Sequence, residues 1–198
     1  MPLDVATFLA IAAACAPQVA PETLLAMARV ESGLEPLAIG VNGPAPRGLR
    51  PARLEAAVAN ASALIAAGRS VDLGLAQINS RNLARLGLTP RTAFEPCRNL
   101  AAGARVLEAG YRRATPAPGQ EQAALRTALS YYNTGHPSRG LRNGYVAKVA
   151  AAARGGMSAS TERRPEAAIA PEPPAPAWDV FARARRGFVI NASNGALP

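Results

Sequence analysis

Apolar residues recur along this chain mostly at helical spacing. Positions 3–16 are apolar and Ala-rich, and Pro17 ends the run, which predicts a first helix. Pro21 and Glu22 suit the first turn of a second. Proline loses no hydrogen bond there, and an acid meets the positive end of the helix dipole. Leu24, Ala28 and Glu31 follow at i, i+4 and i+7, and Gly33 stops the segment, so 21–32 is predicted helical. Residues 36–50, with three prolines and three glycines, read as loop. Pro51 opens a helix whose stripe is Leu54, Val58, Ala61 and Ile65, closed by Gly68. Ser70 to Ile78 reads as extended, part of a small hairpin. Asn79 or Ser80 can cap a short helix carrying Leu83 and Leu86, stopped by Gly87. Residues 97–113 align Leu100, Ala104, Leu107 and Tyr111, and 120–133 align Leu125, Leu129 and Tyr132. After a Gly/Pro loop, a last helix is predicted near 144–153, with Tyr145 and Val149 on one face. The pattern is that of a mainly α domain over residues 1–155 with one small extended or hairpin segment near 70–78.

The character changes after Gly155. Residues 156–177 hold five prolines and few large apolar groups, which suits a flexible linker. Trp178, Val180, Phe181, Phe188, Val189 and Ile190 then return, either in a flexible tail or in a short docking segment. Residues 156–198 are therefore read as a Pro-rich C-terminal tail.

Composition changes the picture in three places. Twenty-two basic residues against thirteen acidic give a net charge of +9, and Lys148 is the only lysine. Biased codon usage accounts for such Ala/Arg richness, and so does attraction to an anionic polymer, whether peptidoglycan with its peptide carboxylates or nucleic acid. No nucleic-acid-binding motif accompanies the charge, so a nucleic-acid partner is not expected. No apolar run approaches the roughly 18 residues of a membrane span. Leu3 to Cys15 ends Ala-Ala-Ala-Cys, superficially like a lipoprotein cleavage site, yet Asp4 sits where a basic n-region belongs. The segment reads as the first helix and not as a convincing signal peptide. Cys15 and Cys97 are two buried thiols or, in an exported protein, one disulfide. A single histidine, His136, builds no zinc site with cysteines so far apart, and it reads as a solvated loop residue. Neither a GxSxG nucleophile elbow nor a Rossmann glycine fingerprint occurs, and no metal or cofactor is expected.

Glu31 is the most informative residue. It falls on the same side of its helix as Leu24, an apolar side, and at the negative end of the dipole. Both effects disfavour the charged carboxylate and raise its pKa. An acid still protonated near neutral pH is what protonating a glycosidic oxygen requires. The competing reading is a buried pair with Arg29 or another arginine. In Gly74-Leu75-Ala76-Gln77-Ile78-Asn79, Gln77 and Asn79 would share one face of a strand. Amides both donate and accept, which suits sugar hydroxyls and acetamido groups, although Asn79 serves equally as a helix cap. In Tyr131-Tyr132-Asn133-Thr134-Gly135 the helical stripe turns Tyr132 inward, to stack on a sugar or to pack in the core. Asn143-Gly144-Tyr145-Val146 is a capped helix start carrying an aromatic residue.

Together, in this order, these four motifs resemble the lytic transglycosylases with a lysozyme-like fold. The resemblance spans roughly residues 3–153 and is closest to the specialised enzymes of type IV secretion and conjugation machines. Glu31-Ser32-Gly33 resembles the family's Glu-Ser catalytic motif, Gly74-Leu75-Ala76-Gln77 its Gly-Leu-Met-Gln motif, and Tyr132-Asn133 its Ala-Tyr-Asn motif. Tyr145 falls where the late tyrosine motif lies, and Cys15 with Cys97 resembles a disulfide pair of the secretion-associated branch. Ala76 stands in place of methionine, Tyr131 in place of alanine, and Glu35 where asparagine is usual. A whole helix separates Glu31 from Gln77, so the serine usual between those motifs has no counterpart here.

The resemblance implies an α+β lysozyme-like domain with Glu31 as single acid and base, and Ser32, Gln77, Asn79, Tyr132, Asn133 and Tyr145 as substrate-binding residues. It implies cleavage of the bond between N-acetylmuramic acid and N-acetylglucosamine with closure of a 1,6-anhydro ring, in the periplasm, for a type IV secretion apparatus. Two alternatives stay open: a hydrolytic muramidase with Asp72 as second carboxylate, and an inactive glycan-binding assembly factor.

Overall fold

The computed structural model describes residues 1–43, 46–115 and 117–158. The domain is mainly α, with a small antiparallel sheet set into one side, as the α+β reading requires. Helix α1 is Val5–Cys15, capped by the Asp4 carboxylate on the Thr7 amide, and α2 is Pro21–Glu31. Two short strands follow, β1 (Ile39–Val41) and β2 (Arg47–Leu49), then α3 (Leu54–Ala66), β3 (Val71–Leu73) and β4 (Ile78–Asn79). After three single 3-10 turns come α4 (Pro96–Arg113), α5 (Glu121–Thr134), the one-turn α6 (Arg139–Arg142) and α7 (Tyr145–Ser158). The strand order is β2-β1-β3-β4, all antiparallel.

Several local expectations are corrected, among them the helix expected to open at Pro51, which starts at Leu54. The stretch 36–50 is not all loop, because β1 and β2 pair within it. The helix expected after Asn79 is broken into two 3-10 turns, Ser80–Asn82 and Ala84–Leu86, with Gly87 left-handed after the second (φ +69°). The extended stretch 70–78 is interrupted, since a turn over 74–77 separates β3 from β4. The last helix also runs past the expected boundary at 155, to Ser158. The expected linker and the apolar residues from Trp178 to Ile190 otherwise lie outside the described residues. Among the described residues no helix is long and apolar enough to cross a membrane.

Two apolar cores underlie this arrangement. One is helical and gathers Phe8, Leu24, Met27, Leu100, Leu107, Leu129 and Val149. The other lies under the sheet and gathers Ile39, Ala57, Ala61, Val71, Leu73, Ile78 and Phe94. Helix α4 serves both, with Leu100 and Ala104 in the first and Ala102 in the second. A disulfide between Cys15 and Cys97, Cα atoms 5.3 Å apart, ties the end of α1 to the start of α4.

Candidate active site

The turn 74–77 is the hinge between the two cores. Leu75 is buried in the helical core and Ala76 in the sheet core. Its backbone is bent to reach both: Gly74 has φ +76° and Gln77, exceptionally for a non-glycine residue, +46°. The fully buried Asn99 of α4 holds it there. Its Oδ1 accepts from the Ala76 amide (2.7 Å), and its Nδ2 donates to the Leu73 and Ala93 carbonyls (2.8 and 2.7 Å). Two hydroxyls complete the clasp: Ser32 Oγ donates to Leu75 O (2.9 Å) and Tyr132 Oη to Ala76 O (2.5 Å).

Glu31 ends α2 directly before that clasp. Its carboxyl is half-buried, and Tyr145 Oη donates to its Oε1 at 2.6 Å. Burial, the dominant cause, pushes its pKa from 4.5 up to about 7; the Tyr145 hydrogen bond pulls down and the Asp72 carboxylate pushes up. Arg29 instead donates to the Ala152 carbonyl, and no ion pair to Glu31 occurs among the described residues. The buried-pair reading of Glu31 therefore fails. Burial and the negative charge of Glu31 push the Tyr145 hydroxyl far up, and burial with Glu31 and Asp72 does the same to Tyr132. Both phenols stay neutral donors.

Two hollows meet at Glu31, Asn42 and Gln77. One, of about 390 Å³, runs under the β1–β2 hairpin past Gly40, Arg47 and Arg50. The other, of about 440 Å³, is lined by Asp72, Asn79, Tyr132 and Asn133. Together they form a cleft with the acid at its middle.

The remaining expected residues divide by what their polar atoms do. Gln77 does not lie on a strand beside Asn79. It sits in the turn, its Nε2 donating to Gly74 O (2.9 Å) and Ala38 O (3.3 Å). Its Oε1 lies over Gly40, where a Cβ would come within 2.8 Å of it. Asn79 caps the following 3-10 turn through the Arg81 amide and donates to Asp72 Oδ1 (2.7 Å) and Ser70 Oγ (2.9 Å). Asp72 also accepts from Asn42 Nδ2 at its other oxygen (2.7 Å). The buried Ser32 hydroxyl is spent on the Ala28 and Leu75 carbonyls. Asn133 is exposed at the cleft and accepts from Asn143, whose own carbonyl caps α7 at the Tyr145 amide.

Asn42 and Asn99 were missed by the sequence reading, whereas Asn143 caps α7 as its motif predicts. Asn99 carried one signal, an amide flanked by the buried run of α4. Tyr131, standing where an alanine is usual, packs its Cβ against Gly110 and its ring under the Arg113 guanidinium, 4.4 Å from the centroid.

The chain belongs to the Transglycosylase SLT domain family, whose model matches residues 8–152. Among curated proteins it is similar to the Type IV secretion system protein virB1 of Brucella suis biovar 1, with 46% identity over 153 residues, 74% of this chain and 63% of that protein. It is likewise similar to Protein virB1 of Agrobacterium fabrum, with 44% identity over 155 residues, 77% of this chain and 62% of that protein. The chain thus spans somewhat less than two thirds of these relatives' length. No solved structure matches it.

Proposed function

We propose that the protein is a peptidoglycan lytic transglycosylase. The observation that carries this reading is the Glu31 carboxyl, held by burial at a pKa of about 7 in the middle of a two-lobed cleft, with a neutral hydroxyl and, among the described residues, no cation as partner. Such a group is populated in both protonation states at neutral pH, as one residue serving first as acid and then as base must be. Protonated Glu31 gives its proton to the glycosidic oxygen between N-acetylmuramic acid and N-acetylglucosamine as the C–O bond breaks. The carboxylate left behind takes the proton of the muramyl 6-hydroxyl as that oxygen bonds to C1, closing the 1,6-anhydro ring and restoring the acid. The 2-acetamido group stabilises the positive charge between the two steps, so no water and no second carboxylate are consumed.

In this reading Gln77 Oε1 and the Asn133 amide face the glycan. Ser32, Asn79, Tyr132 and Tyr145 act mainly by fixing the turn, Asp72 and Glu31, while the exposed edge of Tyr132 lines the sugar path. The similarity to type IV secretion proteins supports a role in opening the wall locally for such an apparatus, and hence a periplasmic location.

One observation favours a second reading, hydrolysis by a muramidase: Asp72 shares a hollow with Glu31 and is close enough to raise its pKa. Both Asp72 oxygens, however, already accept an amide. Mass spectrometry of the products from purified peptidoglycan decides. Anhydromuropeptides from wild type and none from Glu31→Gln are expected. Reducing ends would make the protein a muramidase, and no products from folded wild type would leave a glycan-binding assembly role.

A further inference from the structure

The two lobes of the cleft differ in charge. The hairpin-side hollow is lined by Arg47 on β2 and Arg50 just beyond it, and among the described residues its only acid is Glu31, a group half protonated at neutral pH. The opposite hollow holds the Asp72 carboxylate among amides. Three other arginines, Arg91, Arg98 and Arg112, are paired with glutamates. Among the described residues neither Arg47 nor Arg50 has a carboxylate partner, although both are exposed. Arg50 is nevertheless held in place, since one of its nitrogens donates to the Ser32 carbonyl (3.2 Å), beside the catalytic acid. A guanidinium has five N–H donors, so this anchor uses one and leaves the others for a ligand of the hollow that Arg50 lines. Arg69 braces the hairpin base through the Asn42 carbonyl (3.3 Å) and adds a third positive charge behind it.

Two guanidiniums without a carboxylate partner among the described residues, one of them anchored, lie on one side of a glycan cleft opposite a fixed carboxylate; such a pair suits an anion, and planar forks match carboxylates in particular. Sugar hydroxyls and acetamido groups are neutral and need no such pair. Resting on the transglycosylase reading, we propose that Arg47 and Arg50 form a carboxylate subsite that draws the peptide stem of the substrate strand into the hairpin-side hollow. The enzyme then selects strands whose stems carry free carboxylates, and Asp72 repels a stem placed the other way. The net charge of +9 acts in the same direction over longer range.

The test is calorimetric titration of Glu31→Gln, which cannot turn substrate over, with two soluble glycan oligomers. One carries peptide stems with free carboxylates, the other the same stems with those carboxylates converted to methylamides. The free acid is expected to bind about five- to tenfold more tightly at low salt, the range two partly solvated charge-assisted pairs supply, and the ratio should shrink in 0.5 M salt, an added concentration of about three times the physiological ionic strength. Adding Arg47→Gln should bring the ratio below about twofold, and Arg47→Lys should keep a part of it, since the charge stays but the fork is lost. Arg47 lies on an exposed strand position, so circular dichroism is expected to show the variants folded. Equal affinity for the two oligomers, no binding of either, or a ratio that survives Arg47→Gln would overturn the proposal. Because turnover is not read, a wild type yielding no anhydro products would sink the reaction assigned above while leaving the carboxylate subsite standing.

Discussion

Replacing Glu31 by glutamine should stabilise the protein, and only above about pH 4.5. The folded state holds the Glu31 proton to about pH 7, whereas the unfolded chain releases it near 4.5. Below pH 4.5 the carboxyl is protonated in both states and exacts no penalty. Between 4.5 and about 7 the unfolded chain ionises while the folded protein does not, so stability falls as pH rises. Above 7 the whole loss is present. At ~1.4 kcal/mol for each pH unit, that gap corresponds to ~3 kcal/mol. Glutamine keeps the shape and an oxygen to accept from Tyr145 Oη but never ionises. Urea unfolding at pH 4 should find the two proteins equal within ~0.5 kcal/mol, and at pH 8.5 should find Glu31→Gln more stable by ~2–3 kcal/mol. A difference that does not change with pH, or a variant less stable at pH 8.5, would refute the claim that burial holds the acid up.

Three further outcomes follow from the same geometry. Tyr145→Phe removes the one hydrogen bond that lowers the Glu31 pKa, so the alkaline limb of kcat/KM against pH should move up by ~1 unit; a limb that stays or moves down contradicts the assignment. Gly74→Ala forces a side chain onto a residue at φ +76°, with its Cβ 2.5 Å from Asn99 Nδ2 and 2.6 Å from the Ala93 carbonyl, and should cost at least ~3 kcal/mol in denaturant unfolding. Opening the Cys15–Cys97 bond, which closes a loop of 82 residues, should lower stability by ~4 kcal/mol, read by unfolding with and without reductant and in the double serine variant.

The legible parts of the site share one property. Glu31 could be placed because it follows the buried Leu24 and Ala28 at i+7 and i+3, so the helical period alone puts the last acid of α2 on their side. Asn79 was readable as a cap for a similar reason, since the group it serves lies two residues away. Gln77 was misplaced because period 2 was carried through a tetrapeptide that is in fact a turn. That turn exists because Leu75 and Ala76 are claimed by different cores and Asn99 supplies its missing hydrogen-bond partners. The β1–β2 hairpin was invisible because three-residue strands carry no alternation long enough to detect, and half of their stabilising partners lie on β3.

By itself the sequence determined which stretches form the main helices, since caps, prolines and apolar spacing act between residues a turn apart, and its motifs in order determined the family. Only the tertiary structure decided that Glu31 faces a phenol and not an arginine, that Asp72 is held by two amides, and that unpaired arginines gather on one side of the cleft. Each of these is an electrostatic fact about groups distant in the chain, and in a partly dry cleft the neighbours that folding supplies set the charge.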